Sequence, residues 1–202
     1  MGDRVATCFP LVIKRKRNAT GARIGGRPPV GVRPREIGRG AQYLLTFPHG
    51  GHEISVFING GQDAFMTPLI RNQGTWFRSG NGVVEAVVHA PARRSLRSSL
   101  ESELSARALV IGPERPDVDE TDPSYPLNDH KLGGVPCLHQ NNLAYHDEVS
   151  RLHAVGFRQW LQLSFPSVKD DPISGSWPFA ECNFHLFGRP VPSGIDWIYF
   201  WS

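Results

Sequence analysis

The sequence predicts a mostly β protein of the α+β class, built from two related lobes with few helices. The chain of 202 residues contains 21 Gly and 17 Pro, which favour short strands and turns over a helical bundle. A basic–aliphatic–Gly–Gly–x–Pro phrase occurs at residues 23–28 and again at 131–136. Two further segments recur downstream in the same order. We therefore predict an internal duplication.

Two repeated segments downstream of the GGxP phrases define the rest of the repeat. Residues 42–48 resemble residues 159–166, and residues 54–57 resemble residues 184–187. The offset between copies grows from 108 through 117 or 118 to 130, so insertions separate the shared elements. Two copies are too few for a solenoid, so the pattern favours a pseudo-twofold pair.

The length suits one domain of two lobes, with enough apolar material for a core. We predict a single domain over residues 1–202, with halves of about 1–112 and 123–202. An acidic joint at residues 113–122 separates them.

The first half predicts strands between Gly- and Pro-rich loops. We expect a first strand over residues 5–13 and a loop over 18–40. Strands at 43–47 and 54–58 would form a hairpin that turns at 48–52. A second hairpin would join 75–77 to 83–89 through Asn81-Gly82, the preferred turn chemistry.

Residues 93–109 carry a different period. Leu96, Leu100, Leu104 and Ala108 recur every four residues with polar residues between them. This spacing predicts one apolar stripe on a helix, ended by Gly112-Pro113.

The second half predicts the other GGxP loop within residues 127–140, a short helix over 147–156 and strands at 160–165 and 184–187. The last segment, 195–201, is apolar at every position except Asp196, so both faces of a strand there would be apolar. Such a strand is expected to be covered on both faces.

The GGxP phrase is explained by backbone geometry. A Gly pair permits positive φ and close backbone approach, and Pro fixes the exit direction. A Gly-rich phosphate cradle would need a strand before it and a helix after it, and neither copy is followed by a helix. We predict a tight turn that seats a loop on the sheet.

The acidic joint and a set of aromatics are the candidate contact residues. Glu114 to Asp122 carries five acids with one proline, which suits either a solvated linker or a docking strip for a basic partner. Aromatics in turn-rich stretches either form an interface or cap the sheet edges. The predicted protein-binding residues are Asp117, Asp119, Glu120, Asp122, Trp177 and Phe179.

The repeated phrases resemble the YwqG-like family, a widespread bacterial domain of unknown function. The matching residues run from His130 to Pro136, followed by Gln140, then Leu161-Gln162-Leu163 and the segment 194–201. The earlier Ile24-Gly25-Gly26-Arg27-Pro28 is similar to the N-terminal phrase of that family. The chain departs from the family pattern in its shorter length and at 192–196, where an acidic Gly-Asp-x-Gly turn is replaced.

The YwqG-like family has no agreed enzymatic activity, so the resemblance implies none for this chain. Some related proteins are similar to immunity proteins encoded beside secreted antibacterial toxins, including nuclease effectors of type VI secretion. The resemblance therefore implies a compact binding protein, either an immunity protein or an interaction scaffold.

A metal or catalytic site is the rival interpretation. Cys137 and His139, with His130, His146, His153 or Cys182, supply ligand types that suit zinc. The sequence has no CxxC pair and no His-x-x-x-His helix, so we expect no metal and no other cofactor. Cys137 beside His139 does not make a nucleophile–base pair, and Asp147-Glu148 and Asp170-Asp171 sit in polar stretches.

Net charge and cysteine content limit the partners and the cellular compartment that can be expected. The net charge of +3 is too weak to predict nucleic-acid binding. The basic run 14–17 is either a solvated turn or a phosphate-binding or targeting patch. We expect no membrane contact, because no run of about 20 apolar residues exists. We expect no signal peptide, because residues 1–4 lead into no apolar core with a small-residue cleavage site, and three scattered cysteines favour a reducing cytosol.

The resemblance to the YwqG-like family, together with the lack of a catalytic set, implies a cytosolic immunity protein that binds and neutralises a cognate secreted toxin, most readily a type VI secretion nuclease. A nuclease presents a basic surface to its substrate, and carboxylates can mimic that substrate. We expect no direct nucleic-acid binding and no enzymatic activity. The alternative is a hydrolase or metal-dependent enzyme centred on Cys137, His139 and His130.

Overall fold

The protein is mostly β and forms a nearly closed antiparallel sheet, as seen in a computed structural model. The structure describes residues 6–15, 20–38, 40–59, 77–78, 83–117, 130–138, 143–164, 182–192 and 194–201. Within these ranges there is one α-helix, which agrees with the predicted class. None of the described residues forms a helix with the length and apolarity that a membrane crossing requires.

The sheet joins strands from both ends of the chain. Its strands are β1 (Thr7–Lys14), β2 (Arg23–Ile24), β3 (Ala41–His49), β4 (His52–Asn59), β5 (Phe77–Arg78), β6 (Val84–His89), β7 (Arg107–Ile111), β8 (Arg115–Pro116), β9 (Lys131–Gly133), β10 (Arg158–Leu163), β11 (Phe184–Val191) and β12 (Gly194–Trp201). The helix is α1 (Leu143–Ala154). The strand order is β5-β12-β11-β10-β9-β1-β7-β2-β3-β4-β6, and β8 pairs with β1.

The predicted hairpin of the first half is confirmed. β3 and β4 pair antiparallel from Ala41 opposite Asn59 to His49 opposite His52. Gly50 and Gly51 make the turn with φ of 54° and 84°, a conformation that glycine adopts without steric cost. The predicted strands at 5–13, 160–165, 184–187 and 195–201 correspond to β1, β10, β11 and β12.

One apolar core lies between the two halves of the sheet. Leu45 and Val56 from β3 and β4 belong to the same buried cluster as Leu161 and Leu186 from β10 and β11. Strands far apart in the sheet order therefore face each other across this core.

Each half also has an outer layer. In the second half, α1 packs on the outer face of β11 and β12, confirming the helix predicted over 147–156. In the first half, a loop around Val32 and Ile37 covers the outer face of β3 and β4. The residues Trp197 to Trp201 of β12 are all buried, so this strand is covered on both faces as predicted.

The helix predicted over 93–109 is wrong. The chain there runs irregularly from residue 93 to 106 and then enters β7. Its backbone bonds go to other elements, since Tyr43 N–H donates to the Leu100 carbonyl and Gly26 N–H to the Leu104 carbonyl. Ser102 also bonds locally, because its hydroxyl oxygen accepts the N–H two residues further on, an alternative to helical bonding.

The hairpin predicted between 75–77 and 83–89 is also wrong. β5 pairs with β12, and β6 pairs with β4 along its whole length. The Asn81-Gly82 turn lies outside the described residues. Pairing with long neighbouring strands has overridden a short-range turn signal.

Candidate functional site

Both GGxP phrases form turns with two successive left-handed glycines. The φ values are 67° and 72° at Gly25 and Gly26, and 71° and 79° at Gly133 and Gly134. The predicted positive φ is confirmed. Three of these glycines also meet a neighbour closely, because a Cβ at Gly25, Gly26 or Gly134 would lie under 3.0 Å from another atom.

The first turn forms one wall of a surface cleft. Gly26 N–H donates to the Leu104 carbonyl over 2.9 Å, and Ser102 N–H donates to the Gly26 carbonyl over 2.7 Å. These bonds hold the turn beside the segment that precedes β7. The cleft has a volume of about 580 Å³. Its walls are formed by Gly26, Arg27, Arg94, Ser95, Leu96 and residues 101–106.

The cleft combines charges with an exposed leucine. Arg27 Nε donates to Glu101 Oε2 over 2.9 Å, with the two side chains 38% and 50% exposed. The Arg27 guanidinium also donates to the Leu96 carbonyl. Leu96 itself is 87% exposed. An apolar side chain surrounded by ionic groups suits contact with another macromolecule.

The second turn encloses a carboxylate. Asp117 Oδ2 accepts from Lys131 Nζ over 2.6 Å and from the Val135 backbone N–H over 2.7 Å. Both side chains of the ion pair are 2% exposed. The expectation that Asp117 belongs to an exposed docking strip is therefore wrong. A buried Lys needs a paired charge, and Asp117 supplies it.

The remaining predicted contact residues, Asp119, Glu120, Asp122, Trp177 and Phe179, lie outside the described residues, as does His139. In the basic run, Lys14 and Arg15 are exposed at the end of β1, and the rest of that run is outside the described part. The structure thus brings together Asp117 and Lys131, a pair that sequence reasoning missed.

A buried polar layer follows the second turn. Gln162 Oε1 accepts the Cys137 N–H over 2.7 Å, and Gln159 Nε2 donates to the Gly133 carbonyl over 3.0 Å. His185 Nδ1 lies 3.5 Å from Gln159 Oε1, and its ring stacks on Phe200. Burial, and secondarily the Lys131 charge, lower the pKa of His185 from 6.5 to about 3. This layer seats the turn on β10 and β11.

His185 should make folding sensitive to acid. Because the unfolded chain binds a proton near pH 6.5 and the folded protein only near pH 3, stability is expected to fall as pH drops between these values. The loss from this group should be about 2 kcal/mol between pH 7.5 and pH 5. Urea unfolding of the wild type and His185→Gln at several pH values measures it.

His52→Gln is the matched control, since His52 is an exposed histidine at the start of β4. The His185 variant should lose part of the pH slope of the wild type, and the His52 variant should keep it. An unchanged slope in His185→Gln would refute the role of this histidine.

A hydrogen-bonded chain runs through the first half. Tyr43 Oη donates to Thr46 Oγ1, Thr46 bonds Ser55 Oγ and Ser55 bonds His89 Nε2, each over 2.8 Å. His89 Nδ1 lies 2.7 Å from the Ala90 carbonyl, which can only accept, so Nδ1 donates and Nε2 accepts from Ser55.

Sequence reasoning missed the Ser55–His89 contact. The signal was one polar residue inside the apolar stretch of each strand, Thr46 in β3 and Ser55 in β4. The contact has the distance of a nucleophile–base pair. Ser55 is fully buried, however, so the hydroxyl offers a substrate no access. Its geometry supports a structural role in joining β3, β4 and β6.

The described part of the chain contains no cluster of side chains that would support the metal interpretation. There, no group of three or more His, Cys, Asp or Glu side chains could hold an ion. Cys137 is buried, and its carbonyl accepts from Asn183 Nδ2 over 3.2 Å. His130 Nδ1 accepts the Ser164 N–H over 3.1 Å. These two candidates therefore have different hydrogen-bond partners, a side-chain amide for Cys137 and a backbone N–H for His130.

No protein-family model, curated protein or solved structure matches this chain. The cleft beside Gly26 is therefore the candidate site on geometric grounds. It is open, it carries charges of both signs and it places Leu96 at its rim.

Proposed function

We propose that this protein acts by binding another protein, as a cytosolic immunity protein that neutralises a cognate secreted toxin. The observation that carries the proposal is Leu96, which is 87% exposed at the rim of a 580 Å³ cleft. Arg27, Arg94, Glu101 and Glu103 line the same cleft. Protein interfaces combine apolar contacts with polar and charged ones, and Leu96 beside these ionic groups offers both.

The buried polar groups support binding over catalysis. Lys131 and Asp117 satisfy each other, and Ser55 lies inside the sheet. Catalytic groups need access to a substrate. Cys137 is buried as well, so nothing among the described residues favours the alternative hydrolase or metal-dependent enzyme, whose His139 lies outside them.

The resemblance to the YwqG-like family supports a toxin as the partner, and a type VI secretion nuclease is the partner class that we propose. Asp119, Glu120, Asp122, Trp177 and Phe179 remain predicted contacts. Asp117 is withdrawn from that set because of its burial. With a net charge of +3, docking outside the nuclease active site fits better than mimicry of nucleic acid over a whole surface.

A pull-down from the native organism tests the proposal. Tagged wild type should recover one stoichiometric protein, identified by mass spectrometry, and Leu96→Asp should lose it because a charge would replace the apolar anchor. Val155→Asp is the matched control, since Val155 is 52% exposed beyond the end of α1. Both variants must unfold at the same urea concentration as the wild type.

Neutralisation is the second readout. Expression of the captured protein should stop growth of a bacterial host, and co-expression of the wild-type chain should restore growth. Leu96→Asp should restore it at least about tenfold less efficiently, as expected for the loss of one hot-spot contact. A captured protein that does not harm the host would contradict the immunity proposal.

We also propose that the two halves arose by duplication, as the repeated phrases predict. The central pair β1–β7 is flanked by β9-β10-β11-β12 on one side and by β2-β3-β4-β6 on the other. Equivalent strands are thus paired in equivalent order, which supports a common origin.

Details of register support the same proposal. Arg23 lies opposite Thr46, and Lys131 lies opposite Gln162, so the repeated basic residues pair with equivalent strands. The register shifts between Tyr43 and Leu45 in β3, and again after Gln159 in β10. An experimental structure in which the two four-strand sets fail to superpose, bulges included, would contradict duplication.

A further inference from the structure

A second, smaller pocket lies beside the cleft and has a different charge. Its volume is about 200 Å³, and Ser95 lines both cavities. Arg33 and Arg97 line it, and none of the residues lining it is acidic. Ser98 and Ser99 line it as well.

Two loops bring the arginines to one pocket. Arg33 comes from the loop that follows the first GGxP turn, and Arg97 comes from the irregular segment before β7. Val30 N–H donates to the Arg93 carbonyl over 2.8 Å, and Ser95 N–H donates to the Pro28 carbonyl over 2.8 Å. These bonds tie the two loops together.

A buried carboxylate fixes the first loop. Glu85 accepts backbone N–H bonds from Arg35, Glu36 and Ile37 over 2.7 to 3.2 Å. The negative charge of Glu85 is therefore already bound to backbone donors. The loop carrying Arg33 is held before any ligand arrives, so less ordering entropy is lost on binding.

The serines add donors to the second loop. Ser98 Oγ accepts the Leu100 N–H over 3.1 Å, and its hydroxyl hydrogen donates to no group in the described part of the chain. Ser99 is exposed and also lines the pocket. Hydroxyl donors beside two guanidinium groups suit an oxyanion with several acceptor oxygens.

We propose that this pocket binds a phosphate oxyanion, held by Arg33 and Arg97 with hydroxyl donors from Ser98 and Ser99. The proposal is independent of the immunity function. The ligand is free phosphate or a phosphoryl group carried by a nucleotide or by a phosphorylated side chain. The two arginines supply the charge, and the serines favour an oxyanion over chloride.

Calorimetric titration of the full chain with inorganic phosphate tests this site. Saturable one-to-one binding is expected at low salt, because exposed charges are screened by added ions. Arg33→Gln and Arg97→Gln should each weaken it about tenfold or more, the cost of losing a charge-assisted donor. Arg93→Gln is the matched control, since Arg93 is exposed on the same loop but lines neither cavity.

Parallel titrations with phosphoserine and AMP identify the source of the phosphoryl group. Tighter binding of one of them than of inorganic phosphate assigns that source, and equal binding assigns the free ion. Absence of saturable phosphate binding would overturn the proposal, as would an equal loss in Arg93→Gln. Thermal melting of every variant separates loss of the site from loss of the fold.

Discussion

Replacing Asp117 with alanine is expected to destabilise the folded protein by about 3–5 kcal/mol, because Lys131 would stay buried without a counter-charge. The pair is joined over 2.6 Å and both side chains are 2% exposed. The substitution also removes the acceptor of the Val135 N–H. Urea unfolding at neutral pH, with the free energy extrapolated to water, measures the loss.

Two further variants isolate the buried pair. Glu101→Ala removes one partner of the exposed Arg27–Glu101 pair and should cost less than about 1 kcal/mol. Asp117→Leu combined with Lys131→Met removes both charges and should recover part of the loss, since no unpaired charge remains buried. If Asp117→Ala costs no more than Glu101→Ala, the ion pair does not hold the second turn.

The strands were predictable because their signal is local. Residues 43–47 and 54–58 are apolar runs bounded by Pro and Gly, and they became β3 and β4. The last strand was recognised from a segment that is apolar apart from Asp196, and its residues 197–201 are buried on both faces. Sheet order was not predictable, because β1 and β7 pair at the centre across a long separation in the sequence.

The failure at 93–109 has a specific cause. The four-residue spacing from Leu96 to Ala108 satisfies a helical pattern, yet Leu96 is exposed while Leu104 is buried. Five serines in residues 93–109 offer local hydrogen bonds that compete with a helix. Bonds to Gly26 and Tyr43 then fix the backbone, and these long-range contacts leave no trace in periodicity.

The site was predictable only in part. Positive φ at the glycine pairs followed from residue type, but what the turns enclose did not. Asp117 lies in an acidic run whose composition predicts exposure to solvent. Only the fold places its carboxylate against Lys131. The cleft likewise needs residues 26 and 104 side by side, a contact that no motif encodes.

The second large effect is expected at the first turn, where Gly25→Ala should cost about 3 kcal/mol or more. A Cβ at Gly25 would lie 2.4 Å from the Ser105 carbonyl oxygen and 2.6 Å from that of Leu104. Both neighbours are backbone atoms, so relief requires the segment before β7 to move. The φ of 67° adds the strain of a left-handed non-glycine residue.

Gly50→Ala separates the two causes. Gly50 also has positive φ, at 54°, but a Cβ there would meet nothing within 4 Å. It should therefore cost only about 1 kcal/mol from backbone strain. Urea unfolding compares the two variants, and equal losses would refute the steric role of Gly25. Because the Gly25 neighbours Leu104 and Ser105 line the cleft, Gly25→Ala should also weaken partner capture, whereas Gly50→Ala should leave it intact.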